Sequence, residues 1–94
     1  MEFEWDPDKA RRNLLKHGVA FEDAMHVFFD PRWVETYDGR ESYGEDRWAI
    51  IGASETWPML LYVIYTVRNG SIIRLISARK ANGIEQKRYR EANH

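Results

Sequence analysis

The chain reads as an α+β domain in which helices cover one face of a mostly antiparallel sheet, and three observations predict this. Three apolar runs, residues 47–53, 59–67 and 71–79, follow one another with short connections, and the second connection holds Asn69-Gly70, the strongest short hairpin signal. Two segments open with helix punctuation, Asp6-Pro7-Asp8 and Asn82-Gly83-Ile84-Glu85. A length of 94 residues gives room for one small domain, 1–94, with a core enriched by four Trp, five Tyr and four Phe.

Each element has its own reason. Glu2-Phe3-Glu4-Trp5 alternates polar and apolar residues, the period of a strand with one buried face. Asp6 then caps a helix in which Pro7 takes the first position and Asp8 meets the positive end of the dipole. That helix runs to His17, with Gly18 as its left-handed terminus. Ala10, Leu14 and Leu15 form its thin apolar stripe, while Lys9, Asn13, Lys16 and His17 cluster at spacings of three and four. A second helix is predicted over residues 21–29, with Phe21, Ala24, Met25 and Phe28 on one side, and Asp30-Pro31 ends it. Residues 32–37 are rich in strand formers, and residues 38–44 are a polar turn with two glycines. The capping box of Asn82 and Glu85 starts a last helix that runs to about Ala92 and is basic rather than apolar (Lys87, Arg88, Arg90). The predicted order is β-α-α-β-β-β-β-α, and Trp5, Phe21 and Phe28 belong to the core.

Charge is divided along the chain. Residues 1–46 carry six cations against twelve anions, whereas residues 47–94 carry eight cations against three anions. The second half is therefore where a polyanion would bind. The absence of Cys excludes a disulfide scaffold and every thiolate metal site. The histidines His17, His26 and His94 make no i, i+4 pair, and neither a phosphate loop nor a nucleophile elbow is present, so no metal and no cofactor is expected. The longest apolar run has seven residues, too few to span a bilayer, and the N-terminus lacks a signal peptide, so a cytoplasmic protein without membrane contact is expected.

Metal-independent phosphoryl transfer on RNA asks for less, because the ribose 2′-hydroxyl is itself the nucleophile. The protein supplies a base, cations on the non-bridging oxygens and an acid for the leaving 5′-oxygen. Glu45 and Arg47, two apart, share a face at the start of a strand. On the last strand strict alternation puts Arg79 with Ser77 on one face and Arg74 on the other, with Lys80 at the exit.

These residues match a known pattern. Trp5-Asp6-Pro7-Asp8-Lys9, Asn13, Lys16-His17-Gly18-Val19, Phe21, Glu45-Asp46-Arg47, Ile51-Gly52, Arg74 through Ser77-Ala78-Arg79, Glu85 and Tyr89 together resemble the BrnT family of type II toxins over nearly the whole chain. The resemblance implies a RelE-like fold: a small, curved, antiparallel-rich sheet with two N-terminal helices and one C-terminal helix. It implies an endoribonuclease that stalls translation, an RNA substrate, and a BrnA-like ribbon-helix-helix antitoxin as partner, with operator DNA reached only through that antitoxin. The site residues it suggests are Arg79 and Arg47 for phosphate stabilisation, Glu45 as base, and His17 as acid or base or else as a helix cap. Lys16, Arg74, Lys80 and Tyr89 would contact RNA, although Tyr89 could equally pack on the sheet. Two other readings stay open: an antitoxin-binding co-repressor without turnover, and a gyrase-directed toxin of the ParE kind. Ala20 stands where the family usually has Ser or Thr, which deprives the second helix of a cap worth about 1 kcal/mol.

Overall fold

The computed structural model describes residues 1–37 and 46–93. Within them, strands β1 (Glu2–Glu4), β2 (Val34–Tyr37), β3 (Trp48–Ser54), β4 (Trp57–Arg68) and β5 (Ile72–Lys80) form one sheet in the order β1-β5-β4-β3-β2. Helices are α1 (Pro7–His17), α2 (Phe21–Ala24), which runs into a 3-10 segment (Met25–Phe29), and α3 (Gly83–Ala92). The predicted residues 38–44 turn lies outside the described residues. Only β1, parallel to β5, departs from the antiparallel pattern.

The local signals behave as their chemistry requires. Asp6 accepts from the Asp8 amide at 2.9 Å, and Gly18 closes α1 at φ 73° with its N–H on the Leu14 carbonyl. Asn69 and Gly70 turn β4 into β5 with φ of 52° and 77°, the positive pair that matches the twist of a two-residue hairpin. Asn82 and Glu85 form the capping box in both directions. Ala20 caps α2 with no side-chain bond, and α2 lasts one turn before tightening into the 3-10 segment, so the predicted helix over 21–29 is not a continuous α-helix.

Cross-strand rows show how the sheet is filled. Trp48, Tyr65 and Leu75 lie in one row, and Ile50, Val63 and Ala78 in the next, on the face covered by α1, α2 and the 3-10 segment. There Phe21, fully buried, meets Trp5 edge-on at 5.8 Å, and Phe28 meets Phe3 and Tyr65 at 5.3 and 5.0 Å. The opposite face carries Ala49, Ile64 and Ser77, then Ile51, Tyr62 and Arg79. On β5 a bulge at Ile76 resets the alternation: Arg74 pairs with Thr66, Ser77 with Ile64 and Arg79 with Tyr62. Arg74 therefore shares a face with Ser77 and Arg79, contrary to the expectation from strict alternation, because the bulge adds one residue between them.

Gly52 is where β3 passes the 3-10 segment. A Cβ there would stand 2.8 Å from Val27 Cγ1 and 3.2 Å from Asp30 Oδ2. Val27 is fully buried and β-branched, so it has no free rotamer to yield. Gly52→Ala is expected to destabilise the fold by about 1–3 kcal/mol, read as a lower urea midpoint at unchanged slope.

Candidate nucleic-acid interface

Helix α1 buries a polar residue against β5. Asn13, 7% exposed, faces the edge of β5, accepting from the Ala78 amide at 3.0 Å and donating to the carbonyls of Ala78 and Val19 at 2.9 Å each. Leu14 and Leu15, expected in the apolar stripe, are 49% and 83% exposed, because the helix is turned to put Asn13 and Ala10 inward. Around Asn13 the same surface presents Lys9, Arg12, Lys16 and half-buried His17, which with Ile76 and Ser77 line a concavity of about 300 Å³. Among the described residues, no carboxylate lies within ion-pair distance of these four cationic or basic side chains, and Arg12 bonds only the Asp8 carbonyl. Lys9, Arg12 and Ser77 were not among the sequence candidates, although Lys9, Arg12 and Lys16 follow the i, i+3, i+7 spacing of one helix surface.

The arginines of β5 are differently employed. Arg74 is paired with Glu4 at 2.6 Å, tying β1 to β5. Arg79 makes two parallel bonds to Glu85, both 2.8 Å, donates to the Lys80 carbonyl at 3.2 Å and lies over the Tyr62 ring at 4.2 Å. That bidentate pair fastens α3 to the sheet. Lys80 is exposed at the strand's end. Arg47 is half-buried, and its Nε has no hydrogen-bond partner among the described residues. Glu45 lies outside the described residues. Tyr89, half-buried on α3, donates its hydroxyl to Asp30 at 2.8 Å. The site candidates thus fall into two groups: Lys16 and His17 share the concavity with Lys9 and Arg12, whereas Arg74, Arg79 and Tyr89 are engaged in internal contacts. Among the described residues, no three His, Asp or Glu side chains gather as metal ligands.

Two carboxylates hold α3, and both are acidified. For Asp30, burial pushes the pKa up, but bonds from the Ala53 and Arg32 amides, the Tyr89 hydroxyl and the Arg32 charge outweigh it, leaving the group below its ordinary 3.8. For Glu85, burial is likewise outweighed by Arg79, the Asn82 amide and the nearby Arg88 charge, leaving it below 4.5. Burial and the Asp30 partner push Tyr89 up to about 12. A carboxylate with a depressed folded-state pKa stabilises fully above its unfolded value, and that contribution is lost as the pH falls through the folded one. Because α3 buries no residue of its own, lowering the pH from 7 to below about 4 is expected to release α3 first. Hydrogen exchange should show the amides of α3 losing protection before those of β4 and β5.

The crystal structure of the Brucella abortus ribonuclease toxin BrnT, at 1.1 Å resolution, superposes with a TM-score of 0.68 at 23% identity, covering 87% of this chain and 97% of that one. At that identity the likeness is one of fold. No curated protein sequence matches the chain. The family model described as "Ribonuclease toxin, BrnT, of type II toxin-antitoxin system" matches residues 5–85, which span every element from the entry of α1 to the start of α3. Such a family implies an antitoxin partner, and the chain belongs to it: a BrnT ribonuclease toxin of a type II toxin–antitoxin system.

Proposed function

We propose that the chain is a metal-independent endoribonuclease that inhibits translation by cutting RNA in the cytoplasm, with the concavity between α1 and β5 as its RNA-binding surface. The observation that carries this reading is the row Lys9, Arg12, Lys16 and His17 facing Ile76 and Ser77 without carboxylate partners among the described residues. Cations left uncompensated in a concave wall attract phosphate, whereas those already paired do so only after exchanging a partner. Lys9, Arg12 and Lys16 would hold the non-bridging oxygens. The 2′-hydroxyl attacks the adjacent phosphorus, the P–O5′ bond breaks, and the products are a 2′,3′-cyclic phosphate and a free 5′-hydroxyl. One proton leaves the 2′-oxygen and one reaches the 5′-oxygen; His17, beside Lys16 in the concavity, is the group within the site suited to move one of them. Glu45 is proposed for the other on its place two residues before Arg47. Arg79 and Arg74, already paired with Glu85 and Glu4, would reach phosphate only by exchanging those partners, while Arg47 and Lys80 add positive potential beyond the concavity. A BrnA-like ribbon-helix-helix antitoxin would neutralise the toxin, and operator DNA would be contacted only through it.

The test is incubation of a purified RNA with the purified chain, with and without excess EDTA, beside a Lys16→Ala variant. Cleavage that persists in EDTA and is weakened in the variant is the expected result. No cleavage even with ribosomes present would overturn the catalytic reading in favour of a binding module, and DNA damage with intact RNA would favour a gyrase-directed toxin.

A further inference from the structure

We propose that Asn13 is the positioning residue of this site: it sets the rotation of α1 on the edge of β5 and so decides where the cation row points. This rests on the reading of the concavity as an RNA surface. Strand β1 pairs only with Ile72, Ile73 and Arg74, so beyond Arg74 the outer edge of β5 has no strand beside it among the described residues. Asn13 fills that place at Ala78. Its carboxamide carries the C=O acceptor and N–H donor of a peptide unit, which it uses on the Ala78 amide and carbonyl, and a second N–H, which it gives to the Val19 carbonyl. The side chain thus continues the ladder that β1 leaves unfinished. The bulge at Ile76 lies two residues away and supplies the floor of the concavity.

Little else fixes the rotation of α1. Its apolar contact with the core is through Ala10, and Leu14 and Leu15 face solvent. Lys9, Arg12, Lys16 and His17 stand four before, one before, three after and four after Asn13, so they flank it on the helix surface. A helix that turns about its axis when Asn13 is lost would carry all four away from Ser77 and Ile76 together.

The experiment measures binding of the full chain to a 2′-O-methyl single-stranded RNA oligonucleotide, which cannot be cleaved, as a function of salt. Each phosphate contact contributes about −0.7 to the slope of log affinity against log salt for a single strand. Lys16→Ala is expected to flatten the slope by about that amount. Asn13→Leu, which removes the amide at similar size, and Asn13→Ser, which leaves space for a water to pair with Ala78, are expected to weaken binding at least tenfold. Each should also flatten the slope by one to two contacts, with an unchanged far-ultraviolet spectrum. A change in slope in a folded variant is a result that a merely stabilising side chain would not produce. Wild-type affinity and slope in a folded Asn13 variant, with Lys16→Ala impaired, would overturn the positioning role alone. No effect of Lys16→Ala would overturn the concavity reading and this proposal with it. Failure of both Asn13 variants to fold would assign the residue to stability and overturn its positioning role.

Discussion

Replacing His17 with alanine is expected to slow RNA cleavage by about 10²- to 10⁴-fold while leaving the protein folded. The structure gives His17 two places at once, the last residue of α1 and the wall of the basic concavity. As a helix terminus, its charged form interacts with the last carbonyls for about 0.3–1 kcal/mol, which alanine would remove at a cost of a few degrees in melting temperature. As a proton-transfer group, its loss falls on kcat. The two roles separate cleanly in His17→Lys, which keeps a cation for the dipole and for phosphate but is a poor proton shuttle near neutrality. Cleavage rates of both variants should fall together, with the lysine variant as stable as wild type. Near-normal turnover in His17→Ala would make His17 a helix cap and return the proton transfer to another residue.

Phe21→Ala is expected to cost about 3–5 kcal/mol, enough to consume much of the roughly 5–15 kcal/mol that holds a domain of this kind folded. Phe21 is fully inaccessible, packs in the cluster of Val19, Val63 and Ala78, and stacks edge-on against Trp5. Phe21 opens α2, which packs on β4 and β5, so the cavity would lie between that helix and the sheet. Urea unfolding read by Trp fluorescence would show the midpoint falling, and a loss below about 1 kcal/mol would mean that Trp5 or Ala10 refills the space.

Punctuation was more legible in the sequence than geometry. Asp6-Pro7, Gly18, Asn69-Gly70 and the Asn82–Glu85 box are local devices whose bonds span four residues or fewer, and each acts as its residue types dictate. The unread features depend on distant partners. The bulge at Ile76, which carries Arg74 to the face of Ser77 and Arg79, arises from the register with β4. The rotation of α1 that exposes Leu14 and Leu15 accompanies the bond between Asn13 and Ala78, 65 positions apart. The cluster Lys9, Asn13, Lys16 and His17 was visible at helical spacing, but nothing local showed that Asn13 would turn inward and leave the cations around a concavity. Arg79 was legible as an arginine at a strand exit; its capture by Glu85 required knowing that α3 folds back beside it. Glu45 remains an inference from spacing.

The pairing of the first strand with the last has a consequence for the order of assembly. Glu4 meets Arg74, and Asn13 meets Ala78, so the wall of the concavity joins residues near the beginning of the chain to residues near its end. Loop closure over such separations comes late, after the β3–β4–β5 meander has local partners to pair with. A nascent or truncated chain that stops before β5 has the cations of α1 but no floor beneath them. Residues 1–71 alone therefore cannot build the concavity, whose lining runs from Lys9 on α1 to Ser77 on β5.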